Sequence, residues 1–165
     1  MHSIHGLPAA LFMQPASSIS DVLTRLRNHI EQVPARLAAL SEAQLTQQAP
    51  GKWSRKEILG HLIDSAINNL KRFTDAQFAN GTYQLQPYNQ NELVRLNHYQ
   101  ALPMDHLVSL WTSLNTQIVY VVDAMPTDTL TQPIQLCQPR PETRSLAWLI
   151  EDYVVHLEHH VKTVV

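Results

Sequence analysis

Trp53-Ser54-Arg55-Lys56-Glu57-Ile58-Leu59-Gly60-His61-Leu62-Ile63-Asp64-Ser65 opens the most clearly signalled helix in the chain. Ser54 and Glu57 have the spacing of a capping box. The serine hydroxyl caps the free amides of the first turn, and the glutamate reaches back to the serine amide. Pro50-Gly51 closes the connector before it, and Asn80-Gly81 supplies a stop. Between these marks Leu59, Leu62, Ile63, Ala66, Leu70 and Phe73 recur at helical spacing and make one apolar face. His61 lies just outside that arc, on a stripe with Ser65 and Asn68. An imidazole there is either a solvated or capping group, or one directed into a cleft between helices.

Three further stretches carry the same period. Ile19, Val22, Leu23, Leu26, Ile30, Val33, Leu37 and Leu40 predict a helix over about 20–40, with a kink or break at Pro34. Met104, Leu107, Val108, Trp111, Leu114, Ile118, Val121, Val122 and Met125 predict another over about 103–125, with Pro103 in its first turn. Leu146, Leu149, Ile150, Tyr153, Val154, Leu157, Val161 and Val164 predict the last, over 145–165. Four long amphipathic helices must bury their faces on one another, so the expected fold is all-α, a four-helix bundle. Residues 91–99 read as a short helix, and 41–52 as a connector. Residues 126–144, with four prolines, read as a long crossover loop or lid in which Ile134-Gln135-Leu136 is a short extended piece. Residues 1–18 form an N-terminal arm without a period, and 19–165 the bundle domain.

At 165 residues and 44% hydrophobic content the chain is long enough for one domain with a real core. A net charge of −2 with no basic stripe gives nucleic-acid binding no electrostatic support. No apolar run approaches the roughly 20 residues that span a bilayer. No secretory signal is visible, so the expected address is the cytoplasm. The one cysteine, Cys137, rules out an internal disulfide and reads as a partly buried thiol without a role.

Histidine is the residue from which chemistry can be argued. Three of nine fall in His156-Leu157-Glu158-His159-His160. His156 and His160 are one helical turn apart on one face, at the edge of the apolar stripe, whereas His159 points toward solvent. Two imidazoles at that spacing can grip a metal ion but cannot complete its coordination, so a metal site needs a third ligand from elsewhere. The order of residues is not the H-E-x-x-H of helix-borne zinc proteases. His2, His5 and His29 read as surface residues, and His98 and His106 as surface or seam residues.

The stretch from Trp53 to Ser65 resembles the W-S-x-x-E-I/L-x-x-H-L/I-x-D/E-S signature of the DinB superfamily. Asp64-Ser65, Asn68, Arg72-Phe73 and Pro87-Tyr88 resemble its YfiT-like branch, whose members are described as metal-dependent hydrolases and include bacillithiol transferases. His156-x-x-x-His160 resembles the second motif of the family. The resemblance runs from about residue 19 to the end. It implies an up-down-down-up bundle in which His61, His156 and His160 bind one divalent metal, zinc or nickel first and iron next. It also implies a small-molecule substrate, a low-molecular-weight thiol as candidate partner, and a homodimer. The activity expected on this footing is thiol S-transfer or hydrolysis, with a non-catalytic ligand-binding or partner-binding bundle as the alternative. No catalytic residue beyond the metal ligands is assigned. Asp64, Asp152 and Glu158 are candidates for orienting the ligand rings, Asp152 foremost. Trp53, Tyr83, Tyr88, Trp111 and Trp148 are candidates for the pocket wall. Many relatives carry an acid near the position of Asn89, which here is an amide.

Overall fold

The computed structural model describes residues 17–137 and 141–165. In chain order the elements are α1 (Ile19–Ala38), a single turn α2 (Glu42–Thr46), α3 (Arg55–Gln77), β1 (Tyr83–Gln84), α4 (Gln90–Leu96), α5 (Met104–Asp123), β2 (Pro133–Leu136), β3 (Glu142–Ser145) and α6 (Leu146–Val164). Two 3₁₀ turns, Tyr99–Ala101 and Thr129–Thr131, precede α5 and β2. The expected N-terminal arm, with His2 and His5, falls almost wholly outside the described residues.

The four long helices form the expected up-down-down-up bundle. α1 packs on α5 and α6, and α3 packs on the same two, which puts α1 and α3 at opposite corners. The apolar stripes face inward: Leu23, Leu26, Leu59, Leu62, Ile63, Phe73, Leu107, Trp111 and Ile118 are among the fully buried side chains. One polar chain crosses the core from α6 to α5. The Tyr153 hydroxyl donates to Asn115 Oδ1 at 2.6 Å, and Asn115 Nδ2 donates to the Trp111 carbonyl at 2.8 Å.

The capping box at Ser54 is present in both directions and starts α3 at Arg55. α3 is enclosed far beyond its apolar face. Every residue from Ile58 to Ala66 is buried, because α5, α6, α4 and the Tyr99 turn surround its N-terminal half.

Three expectations need correction. α1 runs through Pro34 without a break. Val33 and Leu37, each 1% exposed, anchor the helix on either side of the proline, which removes one hydrogen bond. The 41–52 connector contains α2, which a second capping box, Ser41 with Gln44, nucleates. The 126–144 crossover carries the expected extended piece at Ile134–Leu136 as β2, but adds a second strand, β3, where only loop was expected. β2 pairs antiparallel with β3 and parallel with β1, and Ile134, at 0% exposure, pins this small sheet to the core. Leu85 extends the link by donating its amide to the Gln135 carbonyl at 3.0 Å, which holds the loop leading to Tyr88.

Gly60 is the position where α3 admits a ring against its backbone. A Cβ there would lie 2.1 Å from the Tyr99 side chain. Tyr99 in turn donates its hydroxyl to Asp64 at 2.6 Å. Gly60→Ala is therefore expected to destabilise the fold by about 1–3 kcal/mol, as overpacking does, although alanine is the better helix former. Denaturant unfolding of the variant beside the parent protein measures this.

Candidate metal centre

The Ser54 cap sets the start of α3 and so the phase at which His61 emerges, two turns later, toward α6. His61 is fully buried, with the Trp53 ring 5.1 Å from its own, centroid to centroid. His156 and His160 approach from α6, both half-buried, with their ring centroids 4.7 Å apart. The His61 ring meets the other two edge-on at 5.1 and 4.8 Å. One nitrogen from each of the three rings lies within 4.8 Å of the others. The structure thus brings together the three histidines named from the sequence.

His61 Nε2 and His156 Nε2 are 3.2 Å apart. Two nitrogens bound to one ion at 2.0–2.1 Å span that distance at an angle of about 100°, close to tetrahedral. Protonation would defeat such an arrangement, and the site resists it. Burial, followed by repulsion from His156 and His160, lowers the His61 pKa to about 4. Burial, followed by His156 and His159, lowers that of His160 to about 4. Burial and then His159 lower that of His156. At neutral pH all three rings are uncharged and offer lone pairs, the form that divalent metals bind. The donor set fits a divalent ion of the zinc, nickel or iron type.

The carboxylates fall out differently from expectation. Asp64 accepts from the Tyr99 hydroxyl and from Asn97 Nδ2 at 2.9 Å, which ties it to the turn after α4. Glu158 takes Arg25 in a two-pronged ion pair, with Nε donating at 2.9 Å, and His29 Nε2 sits 3.4 Å from it. Both therefore serve contacts between elements, and neither bonds the ring of His61, His156 or His160 among the described residues. Asp152 lines a cavity beside His156 without a hydrogen bond to its ring among the described residues.

The remaining histidines separate cleanly. His159 is exposed, as its helical phase implies, although its ring packs 5.2 Å from that of His160. His98 and His106 are exposed. His29 is half-buried between α1 and α6, and so is not the surface histidine its position off the stripe implied. Cys137 is exposed, not partly buried. The five aromatic residues do not share one wall. Trp53 covers His61 and Tyr88 lines the cavity beside His156, but Trp111 is core, Tyr83 belongs to β1, and Trp148 lies under Arg144 at a different cavity. Asn89 caps α4 by accepting from the Glu92 amide at 3.2 Å, a task that an aspartate performs equally well. Arg72 was part of the sequence signature without a role; the structure puts it in the wall of the cavity with Asp152.

A family model for the DinB superfamily matches residues 25–164. Among solved structures, YfiT from Bacillus subtilis, described as a probable metal-dependent hydrolase with an unusual four-helix bundle topology, superposes with a TM-score of 0.79 at 15% identity. The alignment covers 97% of this chain and 89% of that one. The mycothiol-dependent maleylpyruvate isomerase superposes with a TM-score of 0.66 at 18% identity over 88% of this chain, which spans 60% of the isomerase. A histidine-to-alanine variant of that isomerase gives the same TM-score at 17% identity. At these identities the likeness is one of fold. No curated protein sequence matches significantly. No helix among the described residues is long and apolar enough to cross a membrane.

The depressed imidazole pKa values make the metal-free protein sensitive to acid. An unfolded histidine, with a pKa of 6.5, binds protons that the folded ring, near 4, refuses. Below pH 6.5 the unfolded state therefore binds more protons than the folded state, and stability falls as pH drops toward 4. Melting temperature in the presence of a chelator should fall between pH 6.5 and 5, before carboxylates titrate appreciably. His61→Gln should flatten that slope.

Proposed function

The chain belongs to the DinB superfamily, and from that premise we propose that it is a metal-dependent enzyme of small-molecule chemistry. His61, His156 and His160 hold one divalent ion, zinc or nickel, and the reaction is S-transfer to or from a low-molecular-weight thiol, or hydrolysis. The observation that carries this reading is the convergence of three neutral imidazoles from two helices, two of them with Nε2 atoms 3.2 Å apart. YfiT's description as a probable metal-dependent hydrolase and the mycothiol dependence of the isomerase agree with it.

A divalent ion so held supplies Lewis acidity, which favours the deprotonated form of water or of a thiol at neutral pH. The chain's own part is to keep three rings neutral and aimed at one point. Burial of His61 under Trp53 screens that ring from solvent. Three protein ligands leave coordination positions for a reactant, as in catalytic zinc sites. The cavity lined by His156 gives a substrate room beside that ring.

Elemental analysis after reconstitution should find one zinc or nickel per chain. Each of His61→Ala, His156→Ala and His160→Ala should weaken metal binding by more than the roughly 10–100-fold that loss of an outer-shell partner costs. Free metal at about 100 times its Kd should stabilise the parent protein by about 2.7 kcal/mol. A protein that takes up neither metal, with an unchanged melting temperature, would overturn the proposal. Bound metal with no turnover of any thiol or hydrolysable ester would leave a binding protein in place of an enzyme.

A further inference from the structure

A cavity of about 350 Å³ opens beside His156, lined by Arg72, Pro87, Tyr88, Gln90, Asp152 and His156. It extends the site along the seam between α3 and α6. Arg72 follows His61 by eleven residues, three turns, so both leave α3 on nearly the same face about 16 Å apart along its axis. Asp152 precedes His156 by one turn on α6. The seam therefore carries three imidazoles at one end and an opposite-charge pair at the other.

The Arg72 guanidinium is held from behind. Nη2 donates to the Gln86 carbonyl, Nη1 contacts Asn69 Oδ1 at 3.4 Å, and the group lies over the Tyr88 ring at 5.2 Å. These contacts orient the guanidinium plane and use two of its five N–H donors. Among the described residues it has no ion pair. Asp152, which keeps solvent contact at the cavity mouth, has no hydrogen bond or ion pair among those residues either, although both side chains line the same space. Each senses the other's charge. Arg72 pulls the Asp152 carboxyl down against the burial that raises it, and Asp152 opposes the burial that lowers Arg72.

Two opposite charges facing one cavity without touching select among ligands by charge pattern. A simple carboxylate would be drawn to Arg72 but repelled by Asp152, and a simple amine would meet the reverse. A ligand with both groups satisfies both walls. We propose that this cavity binds the α-amino-acid end of a small substrate, with its carboxylate on Arg72 and its ammonium on Asp152. The inference rests on the metal-centre reading only for where the substrate's reacting group lies: toward the three histidines, past His156. With thiol chemistry at that centre, the class of ligand is an amino-acid thiol or its S-substituted derivative.

Three thioethers separate the charges: S-methyl-L-cysteine carries both, S-methylcysteamine the amine alone, and the desamino acid of S-methylcysteine the carboxylate alone. Calorimetry or NMR titration on the full chain, metal-free and zinc-loaded, should find S-methyl-L-cysteine bound about tenfold or more tightly than either single-charge probe. Arg72→Leu should reduce its affinity to that of the amine, and Asp152→Asn to that of the acid. Asp152 is solvent-contacting, so its variant keeps the test valid should Arg72→Leu unfold. Equal binding of the three probes, or a preference that survives both substitutions, would overturn the proposal. The two readings fail separately. A zwitterion preference in a protein that takes up no zinc keeps the cavity and removes the metal centre. Bound zinc without the preference does the opposite.

Discussion

Three imidazoles packed edge to edge in a protein interior must be neutral. A proton on any one of them would be a charge removed from water beside two other basic rings. The architecture answers this constraint by burial. α3 is enclosed for its first three turns, so His61 has no route to solvent, and α6 turns His156 and His160 inward at the margin of its apolar stripe. The same desolvation that costs a charged ring its solvation leaves the uncharged ring with a free lone pair. Packing and ligand chemistry therefore point the same way.

Burial alone would not hold the rings in register, because α3 and α6 belong to a bundle whose helices could slide or rotate. Two polar links restrain them. The Arg25–Glu158 pair fastens α1 to α6 within one turn of both α6 histidines. On the other side, Tyr99 lies on Gly60, and its hydroxyl and Asn97 fasten Asp64, three residues beyond His61. Carboxylates that could have oriented imidazoles directly instead hold the helices that carry them. The small sheet plays a comparable part for the cavity wall, since Ile134 is fully buried and β2 fastens the segment before Pro87 and Tyr88.

Much of the molecule was legible locally. The reciprocal cap at Ser54, the four apolar stripes and the one-turn spacing of His156 and His160 are properties of neighbouring residues, and each appears where its pattern put it. Helical phase also put His159 toward solvent, where it is exposed. Elements too short to repeat their period were less legible. α2 had a capping signal, Ser41 with Gln44, but only five helical residues. β1, with two residues, has no alternation to read, and its partner β2 lies about fifty residues away. The break that Pro34 could have made did not occur, because tertiary burial of Val33 and Leu37 outweighed one missing hydrogen bond.

What the sequence by itself determined is the set of four long helices, their buried faces and the two-histidine turn of α6, because short-range periodicity and capping are written in contiguous residues. That His61 completes the cluster came from the family signature, since its helical position alone left it open. The tertiary structure decided the rest: the 3.2 Å approach of His61 to His156, the diversion of Asp64 and Glu158 to other partners, and the meeting of Arg72 with Asp152 across one cavity. These relations join residues 33 to 133 positions apart. Spacing along the chain carries no information about such distances; only the packing of α3 and α1 against α6, and of α4 against α3, sets them.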